Sequence, residues 1–170
     1  MPKCACAAAM VLLLWPVMWG AGQTSGSTRL MLQVAPESLL DPQHVLLQFR
    51  VSADGASDVT SVPAVIRAGV RPSPGQTVRI TGHLVSLTGP AGPVPVSQVR
   101  WTGSAVSASG GAREASCSSG SFESGTAQDM VVNWQTSGML TCSVTFELTE
   151  PRSLPAGLYA GTVNLALPGQ

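Results

Sequence analysis

The chain has 170 residues, with nine basic and nine acidic side chains and two histidines, so its formal charge at neutral pH is zero. Balanced, scattered charge provides neither a basic stripe for nucleic acid nor a polybasic patch for a membrane surface. Lys3 is the only lysine. The rest of the chain therefore has no lysine for a Schiff base, a P-loop or an isopeptide cross-link.

The first 22 residues have the composition of an export signal. Lys3 precedes an apolar stretch at residues 5–18, and small residues follow at positions 20–22, as at a cleavage site. The stretch is shorter than the roughly 20 apolar residues that span a bilayer. We therefore expect a cleaved signal peptide over residues 1–22 and a single domain over residues 23–170, with no membrane span after cleavage. An uncleaved N-terminal anchor is the alternative.

Cleavage would leave two of the four cysteines, Cys117 and Cys142, and eight arginines against nine carboxylates, a charge of −1. Two cysteines in an exported chain predict a disulfide. The pair encloses 24 residues, and closing a loop of that length stabilises a fold by about 3 to 4 kcal/mol. A redox-active or metal-binding pair is the alternative, although the chain has no Cys-x-x-Cys and few histidines.

The strongest secondary-structure signal is the strand predicted over residues 140–148. Apolar side chains occupy every second position and polar side chains the positions between, which is typical of a strand with one buried face. The inward set is Leu140, Cys142, Val144, Phe146 and Leu148. We expect this strand to be central, flanked by the strands that carry Trp134 and Tyr159. The disulfide would then tie a loop or edge at Cys117 to a central strand.

Further strands are predicted over residues 30–34, 45–51, 59–70, 77–87, 96–102, 130–135 and 158–167. Pro63 indicates an edge or a bend, and Gly82 indicates a bulge. Met130, Val132 and Trp134 are expected on one face. A short helical turn is expected over residues 37–40. About eight short strands joined by Gly/Pro turns predict an all-β fold, an antiparallel sandwich of about seven to nine strands.

The segment Leu-Pro-Ala-Gly-Leu-Tyr-Ala-Gly-Thr-Val at residues 154–163, followed by Leu165 and Leu167, resembles the final hairpin of bacterial secreted immunoglobulin-like domains. It is similar to the end of BACON-type modules and of fimbrial-subunit-like domains. The resemblance implies an immunoglobulin-like β-sandwich that a bacterium exports. The alternation over residues 30–34 is then either the first strand of the domain's own sheet or a donor strand for a neighbouring subunit.

Catalytic and metal-binding signals are few. His44 and His83 lie on or beside predicted strands, and no catalytic motif accompanies them. Asp54 and Asp58 could begin a calcium loop, but Asp-Gly is first a turn signal and few further oxygen ligands follow. We therefore predict a protein that is not an enzyme and has no cofactor and no metal site.

Aromatic residues bear on binding. Trp134 is expected in the core, whereas Trp101, near a strand end, and Phe122, in the loop after Cys117, are the candidates for an exposed ligand contact. We expect an exported structural or interaction domain of the bacterial cell envelope, secreted, periplasmic or on the cell surface, without catalytic activity and with a protein partner. The alternative is a carbohydrate- or ligand-binding module.

Overall fold

The computed structural model describes residues 37–53 and 63–167. The predicted signal peptide, the predicted strand over residues 30–34, and Asp54 and Asp58 lie outside these described residues. Within them the structure consists of β-strands, turns and three short 3-10 helices at Val96–Gln98, Gly111–Glu114 and Pro151–Ser153.

The described residues contain eleven strands, three of which are only two or three residues long. They are β1 (Glu37–Asp41), β2 (His44–Val51), β3 (Pro63–Arg71), β4 (Val78–Gly89), β5 (Gly92–Val94), β6 (Val99–Gly110), β7 (Ser116–Cys117), β8 (Gly120–Ser121), β9 (Gln128–Trp134), β10 (Gly138–Leu148) and β11 (Gly157–Ala166).

These strands form two antiparallel sheets packed face to face. Sheet 1 has the order β1-β3-β10-β6-β8, and sheet 2 has the order β2-β11-β4-β9-β7, with β5 paired to β4. The apolar inner faces of the two sheets share one core. The predicted all-β antiparallel sandwich is therefore confirmed.

Strict alternation produces the core because successive side chains of a strand point to opposite faces. In β10 the five inward residues of the predicted strand, from Leu140 to Leu148, are all buried. In β2 the inward residues are likewise buried and the residues between them exposed. The inward residues of β2 are Val45, Leu47, Phe49 and Val51.

The neighbours of β10 differ from the prediction. β10 is the middle strand of sheet 1, but it pairs with β3 and β6. The strands that carry Trp134 and Tyr159, β9 and β11, lie in sheet 2. The consecutive strands β9, β10 and β11 alternate between the sheets instead of forming hairpins, which local sequence does not reveal.

One local prediction at the start of the described chain was wrong. Residues 37–40 belong to strand β1, because all five residues of β1 pair with β3. Pro63 is the first residue of β3 and pairs with Thr145 of β10, whereas β1 pairs only with residues 67–71 of β3. Within the described residues Pro63 therefore has a paired strand on one side only, a position where proline is tolerated.

Two predictions about strand irregularities also need correction. The irregularity of β4 against β11 lies between Leu84 and Leu87, not at Gly82. β9 has two register shifts against β4, so its burial does not alternate: Val131 is buried and Val132 is only partly buried. A bulge adds a residue to one strand and turns the following side chains to the other face.

Candidate functional site

The predicted disulfide is present and joins the two sheets. Cys117 lies in β7, one of the two edge strands of sheet 2, and Cys142 lies in β10, the central strand of sheet 1. Their Cα atoms are 6.1 Å apart. The bridge therefore fastens an edge of one sheet to the middle of the other across the core.

The residues after Cys117 close this side of the sandwich. The Ser118 amide donates to the Met130 carbonyl at 2.8 Å, and the Ser118 carbonyl accepts a hydrogen bond from Trp101 Nε1 at 3.1 Å. Met130 belongs to sheet 2 and Trp101 to sheet 1. The backbone at Ser118 is thus held by both sheets.

The two aromatic residues expected to be exposed are buried. Trp101 is 4% exposed and Phe122 is 1% exposed. Their ring centroids are 4.8 Å apart, and Phe122 is also 6.3 Å from Phe146, which pairs with Trp101 across β10 and β6. The expectation of exposed aromatic contacts was therefore wrong. The structure brings Trp101, Phe122 and the disulfide together as part of the core.

Tyr159, the only tyrosine, lies where the chain passes from β10 in sheet 1 to β11 in sheet 2. It is buried near the start of β11, and its hydroxyl donates to the Pro155 carbonyl four residues upstream. This is the arrangement of a tyrosine corner in a β-sandwich. A side chain at Gly89 would overlap the Tyr159 ring. Burial raises the pKa of the Tyr159 phenol above its ordinary value.

A polar groove of about 500 Å³ is lined by residues of both sheets. Arg79 and Asp129 lie at this groove and form an ion pair at 3.3 Å. Gln128 and Ser121 add further polar groups, and Trp101 contributes to the wall despite its burial. The groove offers hydrogen-bond donors and acceptors but little accessible aromatic surface.

A second groove, of about 350 Å³, lies at the end of sheet 1 beside β1. Here Gly69 of β3 has Leu39 of β1 as its neighbour on one side and Met139 of β10 on the other. Leu39 is 58% exposed and Met139 is 60% exposed. Because Gly69 has no side chain, the two apolar side chains border a depression on the outer face. We call these three residues the apolar row.

Charged residues flank the apolar row on β1. Glu37 and Asp41 are exposed and stand two positions before and after Leu39, on the same face. Their partners in register on β3 are Arg71 and Arg67. The ion pairs found among residues 37–53 and 63–167 are Arg79–Asp129 and Arg100–Glu147, so neither carboxylate of β1 is held by an ion pair there.

The strand edges of the sandwich are unequal. β7 and β8 are edge strands of two residues each, and very short edge strands offer little backbone to a partner. β1 and β2 are five and eight residues long, and within the described part of the chain each pairs with one strand only. Among the described strands, β1 and β2 are therefore the edge strands longer than three residues; β8 pairs only with Arg100 and Trp101, so the remainder of β6 also has no paired strand on that side. β1 has the apolar row beside it.

The remaining chemistry-bearing residues do not converge. His44 Nδ1 is 2.9 Å from Asn164 Oδ1 at the exposed surface of sheet 2. Within the described ranges, the structure shows no group of three or more His, Cys, Asp or Glu residues that could hold a metal ion. In the same ranges it shows no helix with the length and apolarity to cross a membrane. No family model, curated protein or solved structure matches the chain.

Proposed function

We propose that this protein is an exported, non-catalytic β-sandwich of the bacterial cell envelope, and that it acts by binding another protein along the β1 edge of sheet 1. The observation that carries the proposal is the apolar row at that edge, with Leu39 and Met139 both more than half exposed. Proteins usually protect a strand edge that has exposed apolar residues beside it, because such an edge invites pairing with another chain.

Export is supported by the N-terminal pattern and by the disulfide. Disulfides persist in oxidising compartments outside the cytoplasm and are rare within it. The bridge fastens the two sheets to each other, which suits a protein that has to stay folded outside the cytoplasm.

Photo-cross-linking in intact cells tests the proposal. A photoreactive phenylalanine analogue would replace Leu39, and in a matched control it would replace Val85, which is 54% exposed on β4 of the other sheet. We expect a discrete protein adduct from position 39 and none from position 85, with the cross-linked protein outside the cytoplasm and lacking its signal peptide. An adduct pattern that is the same at both positions, or an uncleaved protein in the cytoplasm, would contradict the proposal.

A second candidate function is carbohydrate binding in the polar groove, where Arg79, Gln128 and Asp129 provide the hydrogen-bonding groups that sugar hydroxyls need. A glycan array with Asp129→Ala tests it. Glu147→Ala is the matched control, because Glu147 is also a surface carboxylate paired with an arginine, Arg100. Saturable binding that is lost only in Asp129→Ala would support carbohydrate binding. If no glycan on the array bound the protein, this candidate function would be excluded.

A further inference from the structure

The β1 edge has a charge pattern that selects among protein partners. Along β1, the residues on the outer face are Glu37, Leu39 and Asp41, all exposed. We infer that the occupant of this edge is an extended segment of another protein with the pattern basic, any, apolar, any, basic, which adds to sheet 1 beside β1. This inference rests on the proposed function and specifies its partner.

Backbone geometry sets the register of this pattern. Side chains on one face of a strand recur at every second residue. In an added strand, the side chains on that face would lie next to the outer-face side chains of β1. An apolar side chain next to Leu39 would extend the apolar row formed with Gly69 and Met139. Cations two positions on either side would then stand next to Glu37 and Asp41. Since the pattern is symmetric about Leu39, it suits a parallel or an antiparallel segment.

The arginines of β3 do not cancel the preference of the β1 edge for a basic segment. Arg71 and Arg67 are one strand away from the carboxylates in register, and an added strand would stand on the other side. With strands about 4.8 Å apart, the incoming cations lie about 10 Å from those arginines, which is near the screening length in physiological salt. Each carboxylate of β1 would then lie between an arginine of β3 and a cation of the added strand, so the charges would alternate from strand to strand.

A second copy of the chain fits the edge poorly. If two β1 strands paired antiparallel with Leu39 opposite Leu39, Glu37 of each would oppose Asp41 of the other. In a parallel pair, each acid would stand beside its own equivalent. Like charges directly opposed across strands are destabilising. The edge therefore disfavours self-pairing and favours a basic segment.

Peptide titration of the exported protein tests the inference. The probes are two synthetic peptides, Thr-Arg-Thr-Val-Thr-Arg-Thr and its acidic counterpart Thr-Glu-Thr-Val-Thr-Glu-Thr, followed by NMR shifts of the backbone amides. We expect the basic peptide to shift amides of β1 and β3 and to bind at least about fivefold more tightly than the acidic peptide. Raising the salt concentration should reduce that difference.

Three variants make the test specific. Glu37→Gln with Asp41→Asn keeps the side-chain shapes and should abolish the preference for the basic peptide, and unchanged amide shifts in β10 would show that the fold is retained. Leu39→Ser should weaken binding. Leu46→Ser is the control, because Leu46 is 71% exposed on the edge strand of the other sheet, and it should bind as the unmodified protein does.

Several results would overturn the inference: equal affinity for both peptides, shifts located away from β1, no measurable binding, or β1 shifts that depend on protein concentration alone, which would indicate self-association. If cross-linking from position 39 still captures a protein partner, the proposed function stands and only the charge pattern is wrong. If cross-linking also fails, both proposals are wrong.

Discussion

The disulfide between Cys117 and Cys142 crosses the core and links an edge strand of sheet 2 to the central strand of sheet 1. The buried side chains of the described residues are apolar, aromatic or cysteine, and one of them, Trp101, donates a hydrogen bond from Nε1 to the Ser118 carbonyl. The bridge and the hydrogen bonds of Ser118 therefore hold the side of the sandwich opposite the β1 edge.

Loss of the disulfide should destabilise the fold without changing it. The cysteines are 25 positions apart, and for a loop of that size we expect Cys117→Ala with Cys142→Ala to lower the free energy of unfolding by about 3 kcal/mol. Chemical denaturation measures this difference. A reducing agent should destabilise the unmodified protein and leave the double variant unaffected. Two free thiols in protein purified without a reducing agent would refute the bridge itself.

Tyr159 should control stability in alkaline solution. Because burial raises the pKa of its phenol in the folded protein, the unfolded chain loses that proton first as the pH rises. The stabilising contribution is complete below the unfolded pKa of about 10 and is lost as the pH passes through the higher folded pKa. Between the two values, the free energy of unfolding should fall as the pH rises, with a limiting slope of about 1.4 kcal/mol per pH unit for one proton.

Denaturation at a series of alkaline pH values checks this slope. Few other groups titrate in this alkaline range, because Tyr159 is the only tyrosine and Lys3, the only lysine, precedes the predicted cleavage site. Tyr159→Phe should flatten the alkaline slope and cost about 1 kcal/mol at neutral pH through the lost hydrogen bond to Pro155. An equally steep slope in Tyr159→Phe would show that another group is responsible.

Two glycines of sheet 1 should respond in opposite ways to alanine. A Cβ at Gly103 of β6 would overlap the Ser118 carbonyl and press on the Cys117 backbone, so Gly103→Ala should destabilise by about 2 kcal/mol or more. A Cβ at Gly69 would meet Met139 Cγ at 3.7 Å and Leu39 Cβ at 3.9 Å, which is ordinary contact. Gly69→Ala should be neutral or stabilise by up to about 1 kcal/mol.

Thermal or denaturant unfolding of the two variants checks this contrast. If Gly103→Ala were as stable as Gly69→Ala, the approach of the Ser118 segment to β6 would be looser than the structure shows.

The sequence predicted those strands whose side chains alternate strictly. β2, β10 and β11 each bury one face and leave the other exposed or only partly buried, so period two identified them and their inward residues. Cys142 was placed correctly for the same reason. The pairing with Cys117 followed from the small number of cysteines outside the predicted signal peptide.

Long-range pairing explains most of what the sequence missed. Residues 37–41 are Glu-Ser-Leu-Leu-Asp, which has no clear period, and they form a strand because β3 is beside them. Phe122 lies in a stretch with no periodicity and is buried because its amide donates to the Val99 carbonyl and its ring packs on Trp101. The apolar row joins residues about 30 and 70 positions apart and has no local signature.

The most direct test of the account is amide hydrogen exchange in the complex with the protein that position 39 captures. An added strand forms hydrogen bonds with the free backbone groups of an edge strand. We predict that exchange within Glu37–Asp41 slows by at least about tenfold on binding, while exchange within His44–Val51, the edge strand of the other sheet, is unchanged. Unchanged exchange in β1, or slowing confined to β2, would contradict the assignment of the β1 edge as the binding site.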